Sequence, residues 1–173
     1  MANIVFRILR EDENVENGIC AKNPNANKLL ADFLANGRNG KSQFIATSTD
    51  LFYLLERATK DNCTRIAAIN LERLHDCKIY DVSSVEKAIL EMKNFPGETN
   101  TKQEGYYRKA SWYASKAKEI DIVGVIPKSA YLLIEVEELK DMIYRFSKAT
   151  LSDSKHKGII NLIEEPLNNQ KEE

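Results

Sequence analysis

The sequence predicts a single domain of the α+β class, and three observations favour that class. The chain has 173 residues, of which 43% are apolar, enough to enclose one hydrophobic core. Its formal net charge is only -1, whereas disordered chains combine few apolar residues with a high net charge. Short β-branched and aromatic runs alternate with amphipathic segments at irregular spacing, which does not match a regular βαβ series.

The predicted strands are short runs rich in Ile, Val and Phe. They cover residues 4–9, 43–46, 65–71, 78–82, 119–125 and 131–136. Arg7 lies inside the first run, and Pro127 ends the fifth because proline cannot donate to a strand ladder.

The predicted helices have apolar residues spaced three or four apart. They cover residues 28–34, 51–59, 85–92, 106–118 and 137–149. Thr49 or Asp50 is the expected N-cap of the second helix, and Ser83 or Ser84 that of the third, because these side chains accept backbone hydrogen bonds. We expect residues 1–150 to form the domain and residues 151–173 a C-terminal extension with a partly frayed tail. The longest loop is predicted at 94–105.

Composition excludes several classes of protein. The 25 Lys and Arg residues balance 26 Asp and Glu, so the chain as a whole has no attraction for nucleic acid or an anionic membrane. No apolar run approaches the roughly 18 residues of a membrane span. The N-terminal residues lack the basic and then apolar layout of a signal peptide. We therefore expect a cytoplasmic protein without a membrane partner.

The cysteines point to reduced thiols and to no metal site. Cys20, Cys63 and Cys77 are odd in number and widely spaced, which is typical of a reducing compartment. His75 and Cys77 alone supply two ligands, whereas structural zinc needs four. We expect no metal.

Three polar features interrupt the apolar pattern and are candidates for function. They are Arg7 in the first strand, the hydroxyl run Thr47-Ser48-Thr49 at a strand end, and Glu119 at the start of a late strand. Each has an ordinary alternative: Arg7 and Glu119 can face solvent, and the hydroxyls can cap the next helix.

These polar features lie within a series of five short segments whose order along the chain is informative. The segments are residues 6–7, 44–48, 65–71, 79–83 and 118–122. Their order resembles the ADP-ribosyltransferase family of the cholera-toxin-like, Arg-Ser-Glu type, and residues 119–127 are similar to that family's Glu-Val-Leu-Val-x-Gly-x-Ile-Pro strand. The resemblance covers residues 4–136 and implies a split β-sheet core with flanking helices.

The resemblance also implies an activity, with NAD as substrate. Breaking the nicotinamide–ribose bond develops oxocarbenium character on the sugar, which a carboxylate stabilises, and Glu119 is the candidate. Arg7 would grip the pyrophosphate or ribose of NAD through its guanidinium fork, with Arg10 as the rival arginine. Thr47 and Ser48 would organise the site. The ADP-ribose acceptor stays open between a protein, a nucleic acid, a small molecule and water.

Two departures from the family pattern favour an alternative function. The family's first Ser of Ser-Thr-Ser is Ala46 here, and Ala117 stands where arginine-modifying members carry a Glu or Gln. The alternative is a catalytically silent domain of the same fold that acts as a binding module. Asp121 on the same strand is a less favoured partner of Glu119.

Aromatic residues precede Glu119 in the fourth predicted helix. Tyr106, Tyr107, Trp112 and Tyr113 are expected to pack in the core, with stacking of one ring on nicotinamide as the alternative. The lysine-rich face of residues 108–118 is expected to be a solvated surface.

Overall fold

The computed structural model describes residues 3–36, 41–99, 102–149 and 152–169. The α+β class is confirmed, with antiparallel strand pairing, whereas the split-sheet architecture of an ADP-ribosyltransferase stays a prediction. The strands are β1 Ile4–Ile8, β2 Ile19–Cys20, β3 Phe44–Ser48, β4 Arg65–Asn70, β5 Lys78–Asp81, β6 Glu119–Val123, β7 Val125–Ile126 and β8 Tyr131–Glu135. The α-helices are α1 Leu30–Asn36, α2 Leu51–Lys60, α3 Val85–Asn94, α4 Glu104–Lys116, α5 Val136–Ala149 and α6 Ser152–Asn168.

The described residues group into two compact units, and each has its own hydrophobic core. The first unit comprises the described residues of Cys20–Asp50 and Asp76–Val125. The second comprises the described residues of Ala2–Ile19, Leu51–His75 and Ile126–Glu173. Among the described residues, no helix combines the length and apolar character needed to cross a membrane.

In the first unit, β6 pairs antiparallel with β3 on one side and with β5 on the other. One face of these strands packs against α1, α3 and α4. The core residue Phe44 lies at the centre of an aromatic cluster, with ring centroids 4.8 Å from Phe33 and 5.7 Å from Phe95. Ser84 caps α3, because its side chain accepts a hydrogen bond from the backbone N–H of Lys87.

In the second unit, β4 pairs antiparallel with β1 and with β8. Alternate residues of these strands, Phe6 and Ile66 among them, pack against α2, α5 and α6. Helix α6 contributes Ile159, Ile163 and Leu167 to this core. The predicted boundary between residues 150 and 151, and the last residues of the predicted tail, lie outside the described residues.

Asp81 at the end of β5 is tied to the start of α3. Its Oδ1 accepts from the hydroxyl of Ser83 at 2.6 Å and its Oδ2 from the Nζ of Lys87 at 2.8 Å. Burial alone would raise the pKa of Asp81, but the hydrogen bonds from Lys87 and Ser83 outweigh burial and lower it.

We expect Asp81→Asn to lower the free energy of unfolding at pH 7 by about 1–2 kcal/mol, because the variant loses hydrogen bonds to an ionised carboxylate. A carboxyl whose pKa is lower in the folded than in the unfolded chain stabilises the fold at pH values above its unfolded pKa, near 4. This contribution is lost as the pH falls through the lowered pKa of the folded state. Urea unfolding between pH 7 and pH 2.5 should therefore show the two proteins converging in acid. Asp141→Asn, an exposed control on α5, should change little at any pH; an equal loss there would contradict the prediction.

Gly124 directly follows β6 and has a backbone conformation that residues with a side chain rarely adopt. Its φ is +136°, and a Cβ built on it would lie 2.9 Å from the Sγ of Cys77 and 3.3 Å from the Cα of Cys77. We expect Gly124→Ala to destabilise the protein by about 2 kcal/mol or more, since the variant combines backbone strain with a clash against the Cys77 side chain and a tight contact with the Cys77 backbone. Gly105 on α4 is the matched control, because nothing lies within 4 Å of a Cβ there. Thermal unfolding that gave equal midpoints for the two alanine variants would refute this account.

Candidate functional site

Glu119 and Ser48 lie directly opposite each other on paired strands of the first unit. Glu119 is the first residue of β6 and only 7% exposed, and the register pairs it with Ser48, the last residue of β3. Directly opposed residues of antiparallel strands project to the same face of a sheet. The structure therefore brings together two of the residues that the sequence singles out.

Thr47 lies on the opposite face of the same strand. Successive side chains of a strand alternate between faces, so Thr47 and Ser48 point in opposite directions. Thr47 pairs in register with Ile120, and its hydroxyl donates to the carbonyl oxygen of Ile120 at 2.6 Å. Thr47 thus holds β3 against β6. Of the two hydroxyl residues, Ser48 is the one that shares a face with Glu119.

The hydroxyl of Ser48 connects the end of β3 to the turn that precedes Glu119. It donates to the carbonyl oxygen of Ala117 and accepts from the backbone N–H of Asp50 at 2.9 Å. The backbone N–H of Thr49 donates to the carbonyl oxygen of Lys118 at 3.1 Å. The carbonyl groups of Ala117 and Lys118, just ahead of Glu119, are therefore held by Ser48 at the end of β3 and by Thr49, the next residue.

Lys118, immediately before Glu119, has an uncommon backbone conformation. Its φ is +45°, in the left-handed region that L-residues other than Asn and Asp rarely occupy. Its ammonium group lies 3.1 Å from the Oδ2 of Asp50, in addition to the bond that its carbonyl accepts from Thr49. These contacts hold the left-handed turn, and the turn sets the direction in which the chain enters β6 at Glu119.

Asp121 is a second carboxylate on the face that carries Glu119. It lies two residues further along β6, is fully buried, and stands opposite Ala46 on β3 and Tyr80 on β5. A serine at position 46 would therefore place its hydroxyl beside Asp121, whereas the hydroxyl beside Glu119 is that of Ser48. One face of β6 thus carries one carboxylate at the strand start and one inside the core.

The two candidate arginines lie in the second unit and meet at one carboxylate, that of Glu13. Arg7 on β1 donates from Nε and Nη2 to the Oε1 of Glu13 at 3.2 and 3.1 Å, and the two side chains are only 11% and 3% exposed. The Nη1 of Arg10 lies 3.4 Å from the Oε2 of Glu13, and its Nε donates to Asp12 at 3.0 Å. Nothing in the sequence indicates Glu13 as the partner of these arginines, because a loop residue gives no periodic signal.

The expectation for the aromatic residues of α4 is wrong for two of the four. Tyr107 is buried, and the hydroxyl of Tyr106 donates to the Oδ1 of Asp32 at 2.7 Å. Trp112 and Tyr113, in contrast, are 49% and 48% exposed. The reason is helical spacing: the buried face of α4 is formed by residues 107, 110, 111 and 114, and positions 112 and 113 fall outside it.

Cys20, Cys63 and Cys77 are free thiols. Burial, and then the charge of Asp61, raise the pKa of Cys63, and burial followed by the charge of Asp76 raises the pKa of Cys77. Within the described residues, no group of three His, Cys, Asp or Glu side chains is arranged to hold a metal ion.

No family model matches the chain, and no curated protein or solved structure matches it either. The resemblance to ADP-ribosyltransferases therefore stays a prediction from the sequence motifs.

Proposed function

We propose that the chain cleaves the nicotinamide–ribose bond of NAD and transfers ADP-ribose to an acceptor, as a mono-ADP-ribosyltransferase or, with water as the acceptor, an NAD glycohydrolase. One observation carries the proposal. A largely buried carboxylate, that of Glu119, begins a strand directly opposite Ser48, whose hydroxyl fixes the turn leading into that strand. A carboxylate in a fixed position is what the chemistry requires.

The proposed reaction needs charge stabilisation more than proton transfer. Nicotinamide departs with the electron pair of the glycosidic bond and becomes neutral, while positive charge develops on the ribose. The carboxylate of Glu119 would stabilise that charge and accept a hydrogen bond from a ribose hydroxyl. The acceptor then supplies the electron pair of the new bond to the ribose carbon and loses a proton.

The other proposed roles follow the positions of the side chains. Ser48 is a positioning residue, since its hydroxyl bonds the carbonyl oxygen of Ala117 in the turn that leads to Glu119. Arg7 would bind the phosphates of NAD, with Arg10 as the alternative arginine. Since all three cysteines are free thiols, we further propose that the reaction takes place in the cytoplasm. The acceptor stays open between a protein, a nucleic acid and a small molecule.

Two observations favour a second candidate function, a catalytically silent binding module. Ala46 supplies no hydroxyl to the face that carries Glu119 and Asp121. The guanidinium of Arg7 already donates three hydrogen bonds to a carboxylate of the same chain, that of Glu13, through the N–H groups that would otherwise grip a phosphate. A domain with these features could bind a ligand without cleaving it.

Nicotinamide release from NAD by the purified chain tests the proposal. We expect time-dependent release that is proportional to protein concentration, measured by chromatography. Titration calorimetry with NAD on the same sample separates the candidates. Saturable binding without release, in the presence and absence of a cell extract as acceptor source, would support the silent module. If the chain neither bound NAD nor released nicotinamide, both candidate functions would be overturned.

A further inference from the structure

The outer surface of α4 carries a row of aromatic and basic side chains, which we call the α4 stripe. Its members are Lys109, Trp112, Tyr113 and Lys116, spaced three or four residues apart and all exposed. The opposite face of the helix supplies the buried residues of the core. The stripe is therefore continuous along the helix and lies opposite the face that packs in the first unit.

The two rings of the stripe are arranged in contact with each other and with a cation. The ring centroids of Trp112 and Tyr113 lie 5.1 Å apart at an interplanar angle of 72°. The Nζ of Lys116 lies 3.8 Å from the centroid of the Trp112 ring, within the range of a cation–π interaction. Half-exposed rings held in this way present apolar surface to solvent at a fixed place, which is typical of an interaction site.

The charge of the stripe is positive although the chain as a whole has a net charge of -1. Glu104 is the one acidic residue of α4, and it pairs with Arg108 at 3.5 Å. Neither Lys109 nor Lys116 forms an ion pair with a residue that the structure describes. The complementary partner is an anion with flat apolar groups, because acidic side chains would engage the lysines and leave the ring faces unused.

We propose that the α4 stripe binds single-stranded nucleic acid, whose bases stack on Trp112 and Tyr113 and whose phosphates contact Lys109 and Lys116. Single strands expose the π faces of their bases, and proteins that bind them combine aromatic platforms with basic side chains. A duplex hides its base faces, so it would engage the lysines alone. The inference rests on α4 and does not depend on cleavage of NAD.

The chain contains one tryptophan, so intrinsic fluorescence reports on the stripe directly. Titration with oligothymidylate and with oligouridylate at 50 mM NaCl should quench Trp112 with saturation. Because few phosphates are neutralised, raising NaCl to 200 mM should weaken binding roughly tenfold. Absence of quenching and of any anisotropy change with a labelled oligonucleotide at 50 mM NaCl would overturn the proposal.

Paired variants distinguish the stripe from general attraction of a polyanion. Lys109→Ala/Lys116→Ala should weaken binding of the labelled oligonucleotide by about tenfold, whereas Lys60→Ala/Lys157→Ala, with the same net charge, should change it less than about twofold. Trp112→Ala should weaken binding by roughly 5- to 100-fold, and Trp112→Phe by less, because a ring is retained. Equal losses in the two double variants would refute the assignment. So would quenching of Trp112 by polyglutamate but not by oligonucleotide, which would indicate an acidic protein partner.

Discussion

Glu119→Gln should reduce nicotinamide release by at least about a hundredfold while the protein stays folded. The amide has nearly the shape of the carboxylate and can occupy the same place opposite Ser48, but it carries no charge to stabilise the ribose in the transition state. Removing one preorganised electrostatic group of this kind typically lowers kcat by about 10²–10³. The rate should be measured at saturating NAD, with thermal unfolding of the same samples as the check on folding.

Two further variants make this result specific. Glu135→Gln, at the exposed end of β8, removes the same charge elsewhere and should leave the rate unchanged. Asp121→Asn tests the other carboxylate on the face of β6 that carries Glu119. If folded Asp121→Asn lost turnover and Glu119→Gln kept it, Asp121 and not Glu119 would be the stabilising carboxylate. Full turnover in both would remove the proposed mechanism.

Glu13→Gln should destabilise the second unit by about 3–5 kcal/mol. The variant leaves the guanidinium of Arg7, which is only 11% exposed, without the carboxylate that accepts hydrogen bonds from its Nε and Nη2. An uncompensated buried charge costs far more than the net contribution of the intact pair. Urea unfolding followed by circular dichroism measures the change in the free energy of unfolding.

The double variant Arg7→Met/Glu13→Leu should recover most of the loss, because apolar side chains of similar volume can replace a buried ion pair. The double variant also separates the structural role of Arg7, the ion pair with Glu13, from its proposed role in binding the phosphates of NAD. A stable double variant that no longer binds NAD in calorimetry would support Arg7 as a ligand of the phosphates. A stable double variant with unchanged NAD affinity would restrict Arg7 to the ion pair. Glu13→Gln as stable as the parent would contradict the structural account.

Most strands and helices could be predicted from the sequence, because their patterns are local. The predicted helices at 51–59 and 137–149 differ from α2 and α5 by one residue at most at either end. The strand predicted to end at residue 46 extends to Ser48, since the Thr47 hydroxyl bonds across to β6 rather than capping α2. Helix α4 ends at Lys116, two residues early, because Lys118 adopts a left-handed conformation that no local pattern indicates.

Which of the candidate residues stand opposite each other could not be predicted from the sequence. Register decides that Ser48 stands opposite Glu119 and that Ala46 stands opposite Asp121, and register depends on contacts about 70 residues apart in sequence. Glu13 could not be found, because the contact with Arg7 is made by a loop. The exposure of Trp112 and Tyr113 was mispredicted since composition, rather than helical phase, suggested a core stripe.

Because α6 is the last helix to be synthesised, the core of the second unit is completed late in translation. The core of the second unit is formed by β1, β4, β8 and α6 together. On the ribosome β1 is made first of these four elements and α6 last. The two segments of the first unit, Cys20–Asp50 and Asp76–Val125, are complete earlier. At translation rates of about 5–20 residues per second, β1 therefore waits about 8–30 s before the last residues of α6 can cover its apolar side chains. The nascent chain should be a substrate for chaperones during that interval, until Ile163 and Leu167 emerge.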